Sequence, residues 1–214
     1  MTIFLYFILF IIGTLIGSFC TLAVYRIPLK KDITHERSFC PNCNHKLAFL
    51  DLIPILSYVF LRGKCRYCGQ KIRIRYLILE VLAGVAAVLF GLSFNFKFPI
   101  IELDKWIYFF FGILYITGLT IIAGIDKERK KIQMSVLVFC ILVALTYIIY
   151  LFVVGQANIN RYAIYLFCVF TLICTSMCDS KMKEKRKLPL GFYICIVNIV
   201  MMILQNFIYY YYYQ

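Results

Sequence analysis

Apolar residues in this chain run in long unbroken blocks separated by short charged interruptions, unlike the alternating or striped patterns of a soluble core. Six blocks stand out, at residues 2–25, 76–92, 106–125, 134–155, 162–178 and 188–209. Each approaches or exceeds the roughly 20 apolar residues an α-helix needs to cross a bilayer. In lipid a spanning segment must satisfy its own backbone, which an apolar helix does. The pattern predicts an all-α, polytopic integral membrane helical bundle of about six spans. Residues 1–92 form an N-terminal region with the first two spans and a polar loop at 26–75, and residues 93–214 carry spans three to six. The first block has no basic start and no small-x-small cleavage site, so it reads as a retained span rather than a signal peptide.

Composition strengthens this reading. Of the 214 residues, 63% are hydrophobic, where a soluble domain has about half. The net charge of +13 would suit nucleic acid or anionic lipid. Lys and Arg, however, sit in loops between apolar blocks, and no surface interleaves basic and aromatic residues, so nucleic acid is excluded as a partner. Loop 26–75 holds eleven Lys/Arg against three acids, turn 126–133 holds four and turn 179–187 holds five. The alternate connections hold few: Lys97 and Lys105 in one, and Arg161 beside the other. The positive-inside rule then puts all three basic loops on the cytoplasmic side, with both termini outside. The tyrosine run at 209–213 fits a headgroup-level anchor. No internal repeat is visible.

Ten cysteines divide into two groups. Cys20, Cys140, Cys168, Cys174, Cys178 and Cys195 lie in apolar blocks and read as small hydrophobes. Cys40, Cys43, Cys65 and Cys68 form two Cys-x-x-Cys pairs in the basic loop. In a reducing cytoplasm such pairs bind metal rather than form disulfides. Two tight turns that each supply two thiolates complete the tetrahedral set preferred by structural zinc. Lys46, Lys64, Arg66 and Lys71 lie near enough in sequence to offset thiolate charge. His45 is an alternative ligand, or simply a solvated loop residue. Between the pairs, residues 47–61 form an apolar run that rests on the membrane surface or on other spans.

Two of the ten acids share a setting. Asp126 follows an apolar run ending at Ile125, and Asp179 follows one ending at Cys178. An ionisable group at a membrane edge is a candidate for function. Two carboxylates on one side of the membrane can share a proton, one taking a proton from water while the other polarises a peptide carbonyl. The alternative is that each is a helix-end acid balanced by the Lys and Arg that follow it. Glu80, one turn into the second span, reads as a structural ion-pair partner for Arg73 or Arg75.

These residues carry a resemblance. Gly17-Ser18-Phe19, Tyr25-Arg26-Ile27-Pro28, Arg37-Ser38-Phe39-Cys40-Pro41-Asn42-Cys43, Leu52-Ile53-Pro54-Ile55-Leu56-Ser57-Tyr58 and Arg62-Gly63-Lys64-Cys65-Arg66-Tyr67-Cys68-Gly69, closing with Ile72, Arg75-Tyr76 and Glu80, resemble the bacterial type IV prepilin leader peptidase family. The resemblance is specific over residues 13–84 and weaker beyond. Ile125-Asp126 with Ile132 resembles the family's first catalytic motif, with Gln133 where a proline is usual. Asp179-Ser180-Lys181-Met182 resembles the second, with Ser176 and Cys178 at the two glycine places before it. Lys187-Leu188-Pro189-Leu190-Gly191-Phe192 resembles a late family segment, closer to the second aspartate than usual. The C-terminal half is shortened.

The resemblance implies an enzyme of the bacterial inner membrane with the four-cysteine loop and both aspartates cytoplasmic. It would be a metal-independent aspartyl endopeptidase that cuts the basic leader from prepilin or pseudopilin precursors, with Asp126 and Asp179 catalytic. The four cysteines would hold structural zinc, and S-adenosylmethionine enters if the chain also N-methylates the new terminus. Leader recognition would call on local acids, Asp126, Asp179, Glu128 and Glu184. The competing expectations are a non-enzymatic relative that binds pilin precursors or scaffolds an assembly machine, and a small transporter using the two carboxylates.

Overall fold

The computed structural model describes residues 2–94, 103–155, 159–181 and 188–213, with the side chains of residues 2, 159–161, 178–181 and 209–213 outside the description. The chain divides into two compact units, Met1–Leu92 and Ser93–Gln214. Among the described residues the ordered elements are helical, apart from two isolated β-bridges.

In the first unit, α1 (Thr2–Arg26) and α3 (Arg75–Leu92) pack along each other, and the polar loop joins them. Their 25 and 18 residues give lengths of roughly 37 and 27 Å at 1.5 Å per residue. Small residues bring the two backbones together. A Cβ built on Gly13 would lie 2.6 Å from the Cβ of Ala87, and one on Gly17 would lie 2.7 Å from that of Ala83. Gly84 in return receives the ring of Phe10 and the methyl of Thr14. Between membrane helices, where lipid is as apolar as protein, association depends on this closeness of fit.

The loop is anchored where α1 ends. Arg26 is buried, and its guanidinium donates to the carbonyls of Asp32 (2.9 Å), Glu36 (2.8 Å) and Arg37 (3.2 Å). A short helix, α2 (Leu56–Phe60), follows a 3-10 turn at Phe49–Leu52.

The second unit contains α4 (Leu103–Arg129), α5 (Met134–Val154), α6 (Ile159–Lys181) and α7 (Leu190–Tyr213). Helix α4 packs on α5 and α7, and α6 packs on the same two, which closes a ring of four. Tyr108, Gly112, Tyr115, Leu119 and Ile122 of α4 are all buried. Their spacing of alternating four and three residues marks a continuous inward stripe. Gly118 lets α5 approach, since a Cβ there would collide with Sγ of Cys140. Asn198 of α7, almost wholly buried, donates to Oγ1 of Thr171 on α6 at 3.2 Å, satisfying an amide that lipid could not. Gly155 caps α5 at φ 69°, its N–H returning to Leu151 and Phe152.

Among the described residues, five helical stretches are long and apolar enough to cross a membrane: Ile3–Leu29, Arg75–Leu92, Leu103–Arg129, Met134–Val154 and Leu190–Ile208. Helix α6 adds the shorter apolar stretch Tyr162–Met177. The charged turns begin later than the hydropathy pattern predicts. Helix α4 continues through Asp126 to Arg129 and turns only at Lys130, with φ 53°, while α6 continues through Asp179 to Lys181. Lys, Glu and Arg are good helix formers, so the helix outlasts its apolar run.

Candidate metal centre and membrane-edge carboxylate

The loop brings all four predicted cysteines to one point. Their Sγ atoms lie within 4.8 Å of one another, and those of Cys40 and Cys68 are 3.9 Å apart. Thiolates at about 2.3 Å from one tetrahedral ion would be separated by roughly 3.8 Å. The donor set therefore fits a tetrahedral metal ion.

Two copies of one turn build the site. The N–H of Cys40 donates to the carbonyl of His45, and the N–H of Asn44 to that of Cys40. Twenty-five residues on, Cys65 donates to Gln70 and Gly69 to Cys65. Each turn is closed by a β-bridge, Phe39 to Lys46 and Lys64 to Lys71. The fifth residue of each turn adopts positive φ, 55° at Asn44 and 69° at Gly69, a conformation Gly accepts freely and Asn tolerates. The repeat does show in the sequence, as Cys40, Cys43 and Lys46 recurring 25 residues later as Cys65, Cys68 and Lys71, and the backbone hydrogen bonds repeat with it.

The thiols do not ionise alike. The N–H of Gln70, then the amide of Asn42, bring Cys68 down to about 7. Cys40 is also lowered, chiefly by the N–H of Cys43. At Cys43 the N–H of His45 pulls down, but partial desolvation and the adjoining sulfurs of Cys40 and Cys68 outweigh it and push the thiol up to about 11. Four sulfurs this close resist becoming four thiolates without a cation among them.

His45 is not one of the clustered donors; its ring lies on Tyr67 with centroids 3.7 Å apart. Arg66 does not simply offset thiolate charge. Its Nε donates to Oδ1 of Asp51 at 2.7 Å, and that carboxylate also accepts from the Tyr67 hydroxyl and the Ala48 N–H. Asp51 thus ties the 3-10 turn to the second knuckle. Glu80 accepts the N–H of Ile55 at 2.9 Å, so the described partner is a backbone group rather than Arg73 or Arg75.

In the second unit, Asp126 continues the inward stripe of α4, four residues beyond Ile122, and is 0% exposed. Its Oδ2 accepts the N–H of Phe192 at 3.0 Å, in the first turn of α7. The free N–H groups and positive dipole end of a helix favour a carboxylate there. Gly191 makes the approach feasible, since a Cβ on it would lie 3.1 Å from Oδ2 and 3.2 Å from Cγ of Asp126. Lys127 lies over the Phe192 ring, 4.8 Å from its centroid. Ser176, at one of the two glycine places, donates to Sδ of Met134 at 3.3 Å. The backbone of α6 passes through Asp179, whose side chain lies outside the described residues, as does Glu184 altogether; Glu128 is exposed. The link from Asp126 to Gly191 and Phe192 had one signal in the sequence, a glycine directly after Pro189-Leu190 at the head of an apolar helix.

Apolar helices of spanning length in both units, and a four-thiolate loop between two of them, define a multi-pass helical membrane protein with a metal-knuckle loop. Residues 11–94 match the bacterial peptidase A24 N-terminal domain. Three similar proteins each carry the name prepilin leader peptidase/N-methyltransferase. That of Myxococcus xanthus is 38% identical over 116 residues, covering 46% of this chain and 34% of the relative. That of Vibrio cholerae is 41% identical over 87 residues, covering 36% and 34%. That of Bacillus subtilis is 37% identical over 136 residues, covering 62% and 50%. The matches thus take in between a third and half of each of these relatives. No solved structure matches. Over residues 11–94 the chain is thus similar to the bacterial peptidase A24 N-terminal domain, and the relatives it resembles are named as prepilin leader peptidases.

Proposed function

We propose that this chain is an aspartyl endopeptidase of the bacterial inner membrane that removes the leader from type IV prepilin or pseudopilin precursors on the cytoplasmic side. Asp126 and Asp179 form the working pair. One carboxylate, ionised, takes a proton from a water, and the other, protonated, polarises the scissile carbonyl. The water oxygen bonds to the carbonyl carbon, the C–N bond breaks, and a proton passes to the departing amine. The observation that carries this reading is Asp126 itself, a wholly buried carboxylate on an otherwise apolar stripe, one turn from the loop end of its span. Ionisable groups at such depth are costly and tend to be retained for function.

The four thiolates would hold zinc as a structural ion, supplying loop folding and no attacking group. S-adenosylmethionine becomes a co-substrate if the chain also methylates the new N-terminus, as the relatives' names would have it. Cleavage of a prepilin-like substrate by the full chain in membranes tests the reading. Wild type should cut, and Asp126→Asn and Asp179→Asn should each lose on the order of 10²–10⁴-fold in rate. An inert wild type that still binds the substrate would replace catalysis with a precursor-binding or scaffolding role.

A further inference from the structure

Helix α2 turns its apolar face away from its own loop. Leu56, Val59 and Phe60 stand at i, i+3 and i+4 and therefore share one side. All three are exposed, Phe60 by 80%. Tyr58 points the other way, against Gly63, with its hydroxyl donating to the Ile72 carbonyl at 3.4 Å. The 3-10 turn that contacts α2 adds Phe49, 78% exposed, and Leu50. The surface is not slack. Asp51 fixes the turn through Arg66 and Tyr67, and Ile55, the residue before α2, is held at φ 62° with its N–H on Glu80. A β-branched residue at positive φ is unusual and implies that surrounding contacts impose it.

The Glu80 bond also fixes a depth. Glu80 lies five residues into α3, about 7.5 Å from its beginning. Helix α3 has 18 residues, a length of roughly 27 Å against a hydrocarbon layer of about 30 Å, so it needs its whole length to cross. The start of α2 is therefore held below the level of Arg75, beside the membrane end of α3. On α3 itself Ile78, Leu79 and Leu82, within two residues of Glu80 along the helix, are exposed as well. Arg62, Lys64 and Lys71, exposed and close in sequence, supply positive charge at the loop side.

We propose that residues 49–60 are an interfacial anchor that seats the metal loop on anionic lipid. Helix α2 lies at the headgroup–acyl boundary of the leaflet where α3 begins. Phe49, Leu50, Leu56, Val59 and Phe60 enter the acyl region, and Arg62 and Lys64 meet lipid phosphates. The loop is thereby moored to the bilayer by a surface of its own, in addition to the two helices that carry it.

The chain has one tryptophan, which makes depth measurable. Phe60→Trp in a Trp106→Phe background, as full chain in vesicles of phosphatidylcholine and phosphatidylglycerol, should emit at short wavelength. Its emission should be strongly quenched by lipids brominated high on the acyl chain and less by lipids brominated near the bilayer centre. Gln70→Trp in the same background should stay unquenched. Retained bound metal reports folding, and Phe49→Trp serves as the second reporter if Phe60→Trp loses it. Long-wavelength, unquenched emission from the reporter would overturn the proposal by showing a solvated face. Short-wavelength emission that no brominated lipid quenches would overturn it by showing that protein covers the face. Equal quenching without phosphatidylglycerol would overturn the role given to Arg62 and Lys64.

Discussion

The two units are held together by different means. In the first, two helices packed through small residues carry a loop whose path polar atoms dictate: four thiols at one point, a guanidinium on three carbonyls, and carboxylates of Asp51 and Glu80 on named donors. In the second, helices close a ring through buried rings, glycines and aliphatic side chains, with Asp126 and Asn198 as buried polar insertions. Directional bonds demand particular residue types at particular spacings, whereas packing accepts many combinations of similar volume. The match to the bacterial peptidase A24 N-terminal domain falls on the first of these units, at residues 11–94.

If the contrast is right, removing the metal ion should produce the largest effect and confine it to the first unit. Binding energies of structural zinc sites are on the order of 10 kcal/mol. Chelation, or Cys40→Ser with Cys65→Ser, should unfold the loop and leave the second-unit helices in place. Limited proteolysis should then show cuts between residues 30 and 74, and cuts in α4–α7 instead would refute the division. Next comes Asp126→Asn, expected to abolish cleavage at little cost in fold, because the amide oxygen can still accept the Phe192 N–H. Thermal unfolding in detergent alongside the cleavage rate separates the two effects; a protein that unfolds instead would make Asp126 structural.

Smaller effects sharpen the comparison inside the first unit. Gly17→Leu forces a side chain onto Ala83 and the α3 backbone, so overpacking should cost about 1–3 kcal/mol, read as a lowered unfolding temperature. Glu80→Ala leaves the Ile55 N–H without its described acceptor, at a similar cost of about 1–3 kcal/mol or less. Its signature is local: faster hydrogen exchange at residues 55–60 with α1 and α3 unchanged. Global loosening would mean that Glu80 supports the helix pair as well.

Much of this architecture is legible from residues alone. Long apolar blocks give the helices, because a spanning segment has no other way to satisfy its backbone. Two Cys-x-x-Cys pairs give the metal centre, because the geometry is local within each pair. The rest depends on contacts between residues far apart in sequence. Nothing near Arg66 indicates that its partner is Asp51, fifteen residues earlier. The pairing of Asp126 with Phe192 spans 66 residues and involves a backbone N–H, which has no side-chain signature. Charge counting likewise ends α4 at Ile125, although the helix runs on to Arg129. Asp126 consequently looks like a loop residue when it is the last buried member of a helical stripe.

Arg26 grips the loop by its main chain, taking hold of carbonyls that every residue possesses. Its hold is therefore indifferent to which side chain stands at Glu36 but sensitive to how many residues separate the gripped positions. Exchange of that residue should pass unnoticed by the metal centre downstream, whereas deleting a residue between Asp32 and Glu36 should misplace Cys40 and empty the site of metal. Counting metal ions per chain in the two variants would show whether this stretch is read for its length or for its spelling.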